Sequence, residues 1–158
     1  MGHVVAMRLW MMLAIGAACL AIMPASSLAA SGKVIKVLPQ FLDAQGRHTL
    51  SPSLYERDAY QAHLRKHPEL RSGLRFAIQW RAKGATNLKL RVELRGMREN
   101  KVQTRTLETP VERKAALEQW AMLVLSGDDY KQFGELSAWR ATLWDGDQLL
   151  AEQKSFMW

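Results

Sequence analysis

The chain of 158 residues holds a single cysteine, Cys19, and that one lies in the apolar opening stretch. Cleavage after Ala29 would leave none, and disulfides, thiolate catalysis and cysteine metal ligation would vanish together. No internal repeat recurs at solenoid spacing, and no low-complexity linker divides the chain, so nothing argues for a second domain. Ser126-Gly127 and Ser155 lack a nucleophile-elbow context, and no base is placed beside either. No phosphate-binding or cofactor motif is present, so no cofactor is expected. Aromatic residues do not alternate with the basic ones in a base-stacking pattern, which makes nucleic acid an unexpected partner. These absences together favour a non-enzymatic chain.

The opening stretch carries the clearest positive signal. Arg8 supplies a positive charge, and Leu9 to Met23 then runs apolar for 15 residues without a charge. Pro24 ends the run, and Ser27-Leu28-Ala29 offers the small residues a signal peptidase inspects. The pattern predicts a secretory signal peptide over 1–29 and a domain over 30–158, periplasmic or secreted. The apolar run falls short of the roughly 20 residues that span a bilayer as a helix. Cys19 is a poor lipidation site, because Gly16 stands three residues before it and the apolar run continues past it.

Lys and Arg number 22 against 15 Asp and Glu, a formal charge of +7, of which the leader removes only Arg8. A basic exported domain can be drawn to lipid headgroups, acidic glycans or wall polymers, although net charge alone carries little specificity.

Along the chain, Lys33 to Leu38 suggests a short edge strand stopped by Pro39. Asp43 to Gly46 reads as a turn. Ser53 and Glu56 form a capping box for a helix reaching Arg65, with Pro68 forbidding much more and a thin apolar stripe of Tyr55, Ala59 and Ala62. Leu74, Phe76, Ile78 and Trp80 then alternate with Arg75, Ala77, Gln79 and Arg81. Beyond a loop over 83–87, Leu88, Leu90, Val92 and Leu94 alternate with Lys89, Arg91, Glu93 and Arg95. Two such strands joined by a short glycine-containing loop read as an antiparallel hairpin. Val102 to Leu107 suggests another strand. Thr109-Pro110 with Glu112 reads as a helix start, while Trp120 to Leu125 suits a buried strand. A polar connection over 127–134 leads to a strand over 136–144, with Trp139, Ala141 and Leu143 on one face. Asp145-Gly146 marks a tight turn, and the returning strand runs over 148–158. About seven short strands with one short helix predict an all-β, immunoglobulin-like antiparallel β-sandwich. Tyr130 lies near where such sandwiches place a corner tyrosine, several residues early.

Three segments, 139–158, Leu125-Ser-Gly-Asp-Asp-Tyr130 and 50–61, carry a resemblance to a group of uncharacterised small exported bacterial proteins. The resemblance implies an immunoglobulin-like sandwich and a strand at 119–125. It brings no activity, substrate or catalytic residue.

Candidate sites follow from residue type and spacing. In the expected hairpin, Arg75, Gln79 and Arg81 share an outward face with Lys89, Arg91 and Arg95, merging into one cationic patch offset only by Glu93. Such a patch could contact an envelope protein, an anionic polymer or a membrane surface. Trp144, beside the turn, and the terminal Trp158 could instead form an exposed platform for sugars, whereas Trp80, Trp120 and Trp139 fit the core. Glu152 and Lys154 interrupt the face that Trp158 shares with Phe156, which argues against a lipid-facing barrel strand. His63 and His67 have chelating spacing, but no third ligand is evident, and His48 could join them only through an unforeseen fold contact. Asp128-Asp129 and the Asp145/Asp147 pair have turn and loop chemistry rather than the separation acid–base catalysis needs. No metal site is expected. The leading expectation is an exported binding or structural domain, with a carbohydrate-binding module as the alternative.

Overall fold

A computed structural model describes residues 29–113 and 118–158. The expected leader, with Cys19 and Trp10, lies outside the described residues, as does part of the expected helix or turn over 110–117. Seven strands form two antiparallel sheets. The first sheet is ordered β1 (Ser31–Asp43), β2 (Arg71–Lys83), β5 (Gln119–Ser126). The second is ordered β4 (Lys101–Pro110), β3 (Leu88–Arg98), β6 (Glu135–Asp145), β7 (Gln148–Lys154). Helix α1 (Leu54–Lys66) joins β1 to β2 through a single 3-10 turn, and α2 (Gly127–Phe133) joins β5 to β6. This is an all-β sandwich with the strand distribution of immunoglobulin-like domains, three strands facing four. It has two helices where the sequence suggested one.

The core comes from the period-two rows of the two central strands. Leu74, Phe76, Ile78 and Trp80 of β2 and Leu88, Leu90, Val92 and Leu94 of β3 are all buried. They face each other across the sandwich, joined by Val34, Val37, Leu123, Leu125, Ala141 and Leu143. The expected β2–β3 hairpin does not form: β2 pairs with β1 and β5, whereas β3 pairs with β4 and β6. The 84–87 loop is an arch that carries the chain from one sheet to the other. Alternation is identical in a hairpin and an arch, but only the arch buries both apolar rows against each other. Asp145 pins it, its Oδ1 accepting from the Asn87 backbone N–H at 2.8 Å and from that of Thr86 at 3.2 Å.

Pro39 does not stop β1, because β1 is an edge strand and a missing N–H on its free side costs no ladder bond. That free side is covered further on by α1. The Gln61 amide accepts from the Phe41 N–H at 2.8 Å and donates to the carbonyls of Phe41 at 2.9 Å and His48 at 2.8 Å. Ser53 caps α1 as expected, its hydroxyl accepting from the Glu56 N–H. The buried face, however, is Gln61 and Leu64, while Tyr55 and Ala59 are exposed. Arg71 closes the other end, donating to the helix's last-turn carbonyls of Leu64 and Arg65 and to Glu135 of β6 while stacking on Phe41.

Further corrections concern the second half. Thr109 and Pro110 end β4 instead of starting a helix, whereas the 119–125 segment is strand, as expected. The 127–134 connection is mostly α2, which buries Phe133 completely beside Gly96. The β6–β7 turn has Gly146 and Asp147 at its centre, with positive φ at Gly146, so glycine takes the first central position. The returning strand ends at Lys154, and 155–158 turn back, with the Trp158 N–H on the Ser155 carbonyl.

Candidate anion-contact face

The arch divides the predicted cationic patch between two opposite surfaces. Lys89, Arg91 and Arg95 point outward from the four-stranded sheet, and Arg75 and Arg81 point outward from the three-stranded sheet. They cannot act as one site.

On the four-stranded sheet most of the cations are matched, with Arg95 and Lys154 outside the ion pairs found among the described residues. Cross-strand pairing sets Glu108 opposite Arg91, and Glu93 opposite Arg140. Glu108 bridges Arg91 and Lys89, the latter at 3.2 Å. The hydrogen bond from Arg91 holds the Glu108 carboxyl below the usual range, against a smaller effect of burial. Arg140 lies between Glu93 at 3.5 Å and Glu152 at 2.8 Å. Arg95 stacks over the Trp158 ring at 4.1 Å, and the Arg91 guanidinium sits 5.2 Å from the Trp144 ring centroid. Trp144 also donates its indole N–H to Thr142 at 2.8 Å. Each predicted tryptophan is half-buried with a guanidinium over its ring, a less open platform than a sugar would use.

The three-stranded sheet is different. At its closed end, half-buried Arg75 donates to Gln40 at 3.1 Å, and burial lowers its pKa. Toward the other end, Lys33, Lys36, Arg81 and Lys83 are exposed, and among the described residues none has an ion-pair partner. Register brings them together: Lys33 lies opposite Arg81, and Lys36 opposite Gln79. Lys33, Arg81 and Lys83 line a shallow depression of about 470 Å³ with Ser31, Gly32 and Ala82. The Glu118 carboxylate approaches this surface and accepts from Gln79 at 2.6 Å.

Beside the cations runs an apolar row. Trp120, Met122 and Val124 on β5 are 48%, 47% and 45% exposed, in register with Gln79, Ala77 and Arg75. The sequence placed Trp120 in the core. A run apolar on both rows reads as buried on both faces, but this strand has a packed face only at Leu123 and Leu125 and the partly buried Ala121. Lys33, Lys36, Lys83 and the β5 row were missed as site residues because their proximity depends on pairings between strands far apart in sequence.

The remaining candidates disperse. The His63 and His67 rings lie 4.5 Å apart and tilted by 40°, with His67 bonded to Glu69 at 3.0 Å. Among the described residues no three histidines, cysteines or carboxylates converge as metal ligands. His48 stays in its loop, its pKa lowered by burial and then by Arg75 and Arg57. Asp128 pairs with Lys131 within α2, and Asp129 pairs with Arg105 of β4 at 3.5 Å. Tyr130 is half-buried against the core in α2, its pKa raised by burial.

No protein-family model matches the chain, and no curated protein does. A crystal structure of a protein from Akkermansia muciniphila superposes with a TM-score of 0.46 at 10% sequence identity, covering 80% of this chain and 71% of that one. A likeness of that degree carries no statement about function.

Proposed function

We propose that this chain is an exported, non-enzymatic binding domain that meets an anionic lipid surface of the cell envelope through the outer face of β1, β2 and β5. The observation carrying this reading is the pairing of unmatched cations with an open apolar row on one surface. Lys33, Lys36, Arg81 and Lys83 would draw the face to anionic headgroups. Trp120, Met122 and Val124 would then enter the headgroup boundary, where an indole is favourably placed. The leader-like opening stretch supports an envelope location.

The test is co-sedimentation with vesicles. Phosphatidylglycerol-containing vesicles should retain the protein at low salt, and pure phosphatidylcholine vesicles should not. Each cation near an anionic bilayer contributes about 1 kcal/mol, so Lys36→Gln with Arg81→Gln should weaken binding about 30-fold. Retention independent of both salt and lipid charge sinks the proposal. Tight binding to a soluble polyanion with no vesicle binding reassigns the face to a polymer.

A further inference from the structure

β5 is an edge strand of unusual composition for this molecule. Gln119-Trp-Ala-Met-Leu-Val-Leu-Ser126 contains no charge, no proline and no glycine, and its register with β2 has no bulge. Edge strands are normally blunted by such devices, or by a covering element, because their unpaired N–H and C=O groups invite another strand. The other edge of this sheet is protected: α1 covers β1 through Gln61, and β1 carries Lys33, Lys36, Pro39 and a register shift. Over residues 120–125 no such device is present among the described residues, and no second strand pairs with β5 there.

We infer that β5 is a self-pairing edge, through which two copies of this chain join antiparallel about a two-fold axis. Charge permits a second copy here and row complementarity selects it. The net charge of +7 opposes self-association over most surfaces, and the uncharged β5 is where a second copy meets no like charge. The row is also self-complementary. Pairing centred on Met122 sets Met122 against its symmetry mate, Trp120 against Val124, and Ala121 against Leu123. The outer apolar row thus extends across the axis, and so does the inner one. A closed isologous dimer results, the commonest form of homo-oligomer.

Antiparallel edge pairing places the axis normal to the sheet, so both outer faces look the same way. The three-stranded sheet becomes one of six strands, with a central apolar band flanked on both sides by Lys33, Lys36, Arg81 and Lys83. This consequence rests on the anionic-surface reading: two linked patches would bind a bilayer more tightly than either alone. The pairing itself does not depend on that reading.

Sedimentation velocity of the full chain across the micromolar range, without lipid, should show a reversible monomer–dimer equilibrium. Met122→Lys puts two ammonium groups opposite each other on the axis and should raise the dimer dissociation constant at least about tenfold without changing the circular dichroism spectrum. Met122→Cys in a Cys19→Ser background should oxidise to a disulfide-linked dimer, since facing residues of an antiparallel pair have Cα separations of about 4.5–5.5 Å, within disulfide reach. Lys36→Cys in the same background, away from the edge, should not. A monomer at every concentration with no cross-linking of Met122→Cys above the Lys36→Cys level overturns the inference. Dimerisation without vesicle binding upholds the pairing and removes only its lipid consequence.

Discussion

Asp43 concentrates the polar organisation of the β1–α1 corner in one carboxylate. Burial alone would raise its pKa. The hydrogen bonds from the Tyr60 hydroxyl, from the backbone and side chain of Arg47, and from the Gln45 N–H outweigh burial and bring it from 3.8 to about 2. A depressed carboxylate pKa stabilises the fold above the unfolded-state value, and that stabilisation is lost as pH falls through the folded value. The shift corresponds to about 2 kcal/mol. Urea denaturation at pH 7 should therefore show Asp43→Asn less stable by about that amount. The gap should narrow as pH drops from about 4 and be largely gone below about 2. An unchanged gap at pH 2 would show that the carboxylate charge is not what this corner uses. The turn itself was legible from Asp43 and Gly46, but its partner Tyr60 was not, because that contact spans 17 residues and depends on how α1 docks.

At the scale of elements, α2 is held by a close approach that composition does not reveal. A Cβ on Gly96 of β3 would come within 2.6 Å of the Phe133 carbonyl oxygen and 2.8 Å of its ring. Gly96→Ala must push α2 away from β3, and because the nearest atom is backbone, rotamer change cannot relieve it. The expected cost is about 1–3 kcal/mol, in the range of overpacked cores, seen as a lower melting temperature. Phe133→Ala should cost about 3–5 kcal/mol by leaving a cavity. A Gly96→Ala protein as stable as the parent would mean that α2 sits elsewhere. Strands were legible wherever one row is apolar and the other polar, as in β2 and β3. Burial and helix were misread where that contrast fails: β5 was legible as a strand, but its two apolar rows hid that the Trp120 row is exposed, and α2 is a short polar segment whose Phe133 anchor gives no periodic signal. Pro39 misled because a proline stops only a strand that needs its N–H. The β2–β3 connection was illegible for a deeper reason, since alternation reports which side chains share a face and not which strand lies alongside.

At the scale of the molecule, that one connection decides where charge can act. Had β2 and β3 paired, Arg81 and Arg91 would share a surface. The arch instead leaves one face with its Lys89, Arg91 and Arg140 charges matched and the other with an unmatched cluster, so equal changes on the two faces should have opposite consequences. Lys89→Glu with Arg91→Glu sets two new carboxylates against Glu108 and removes two ion pairs. Half-exposed pairs are each worth up to about 1 kcal/mol, so the melting temperature should fall by a few degrees while binding to anionic vesicles changes less than about twofold. Lys36→Glu with Arg81→Glu breaks no ion pair among the described residues. It should leave the melting temperature unchanged and abolish vesicle binding at low salt. Thermal melts and co-sedimentation of both double variants, run side by side, separate the faces. Loss of vesicle binding in the Lys89→Glu, Arg91→Glu protein, with its fold intact, would move the contact to the four-stranded sheet. The unmatched cations of the three-stranded sheet would then serve only solubility.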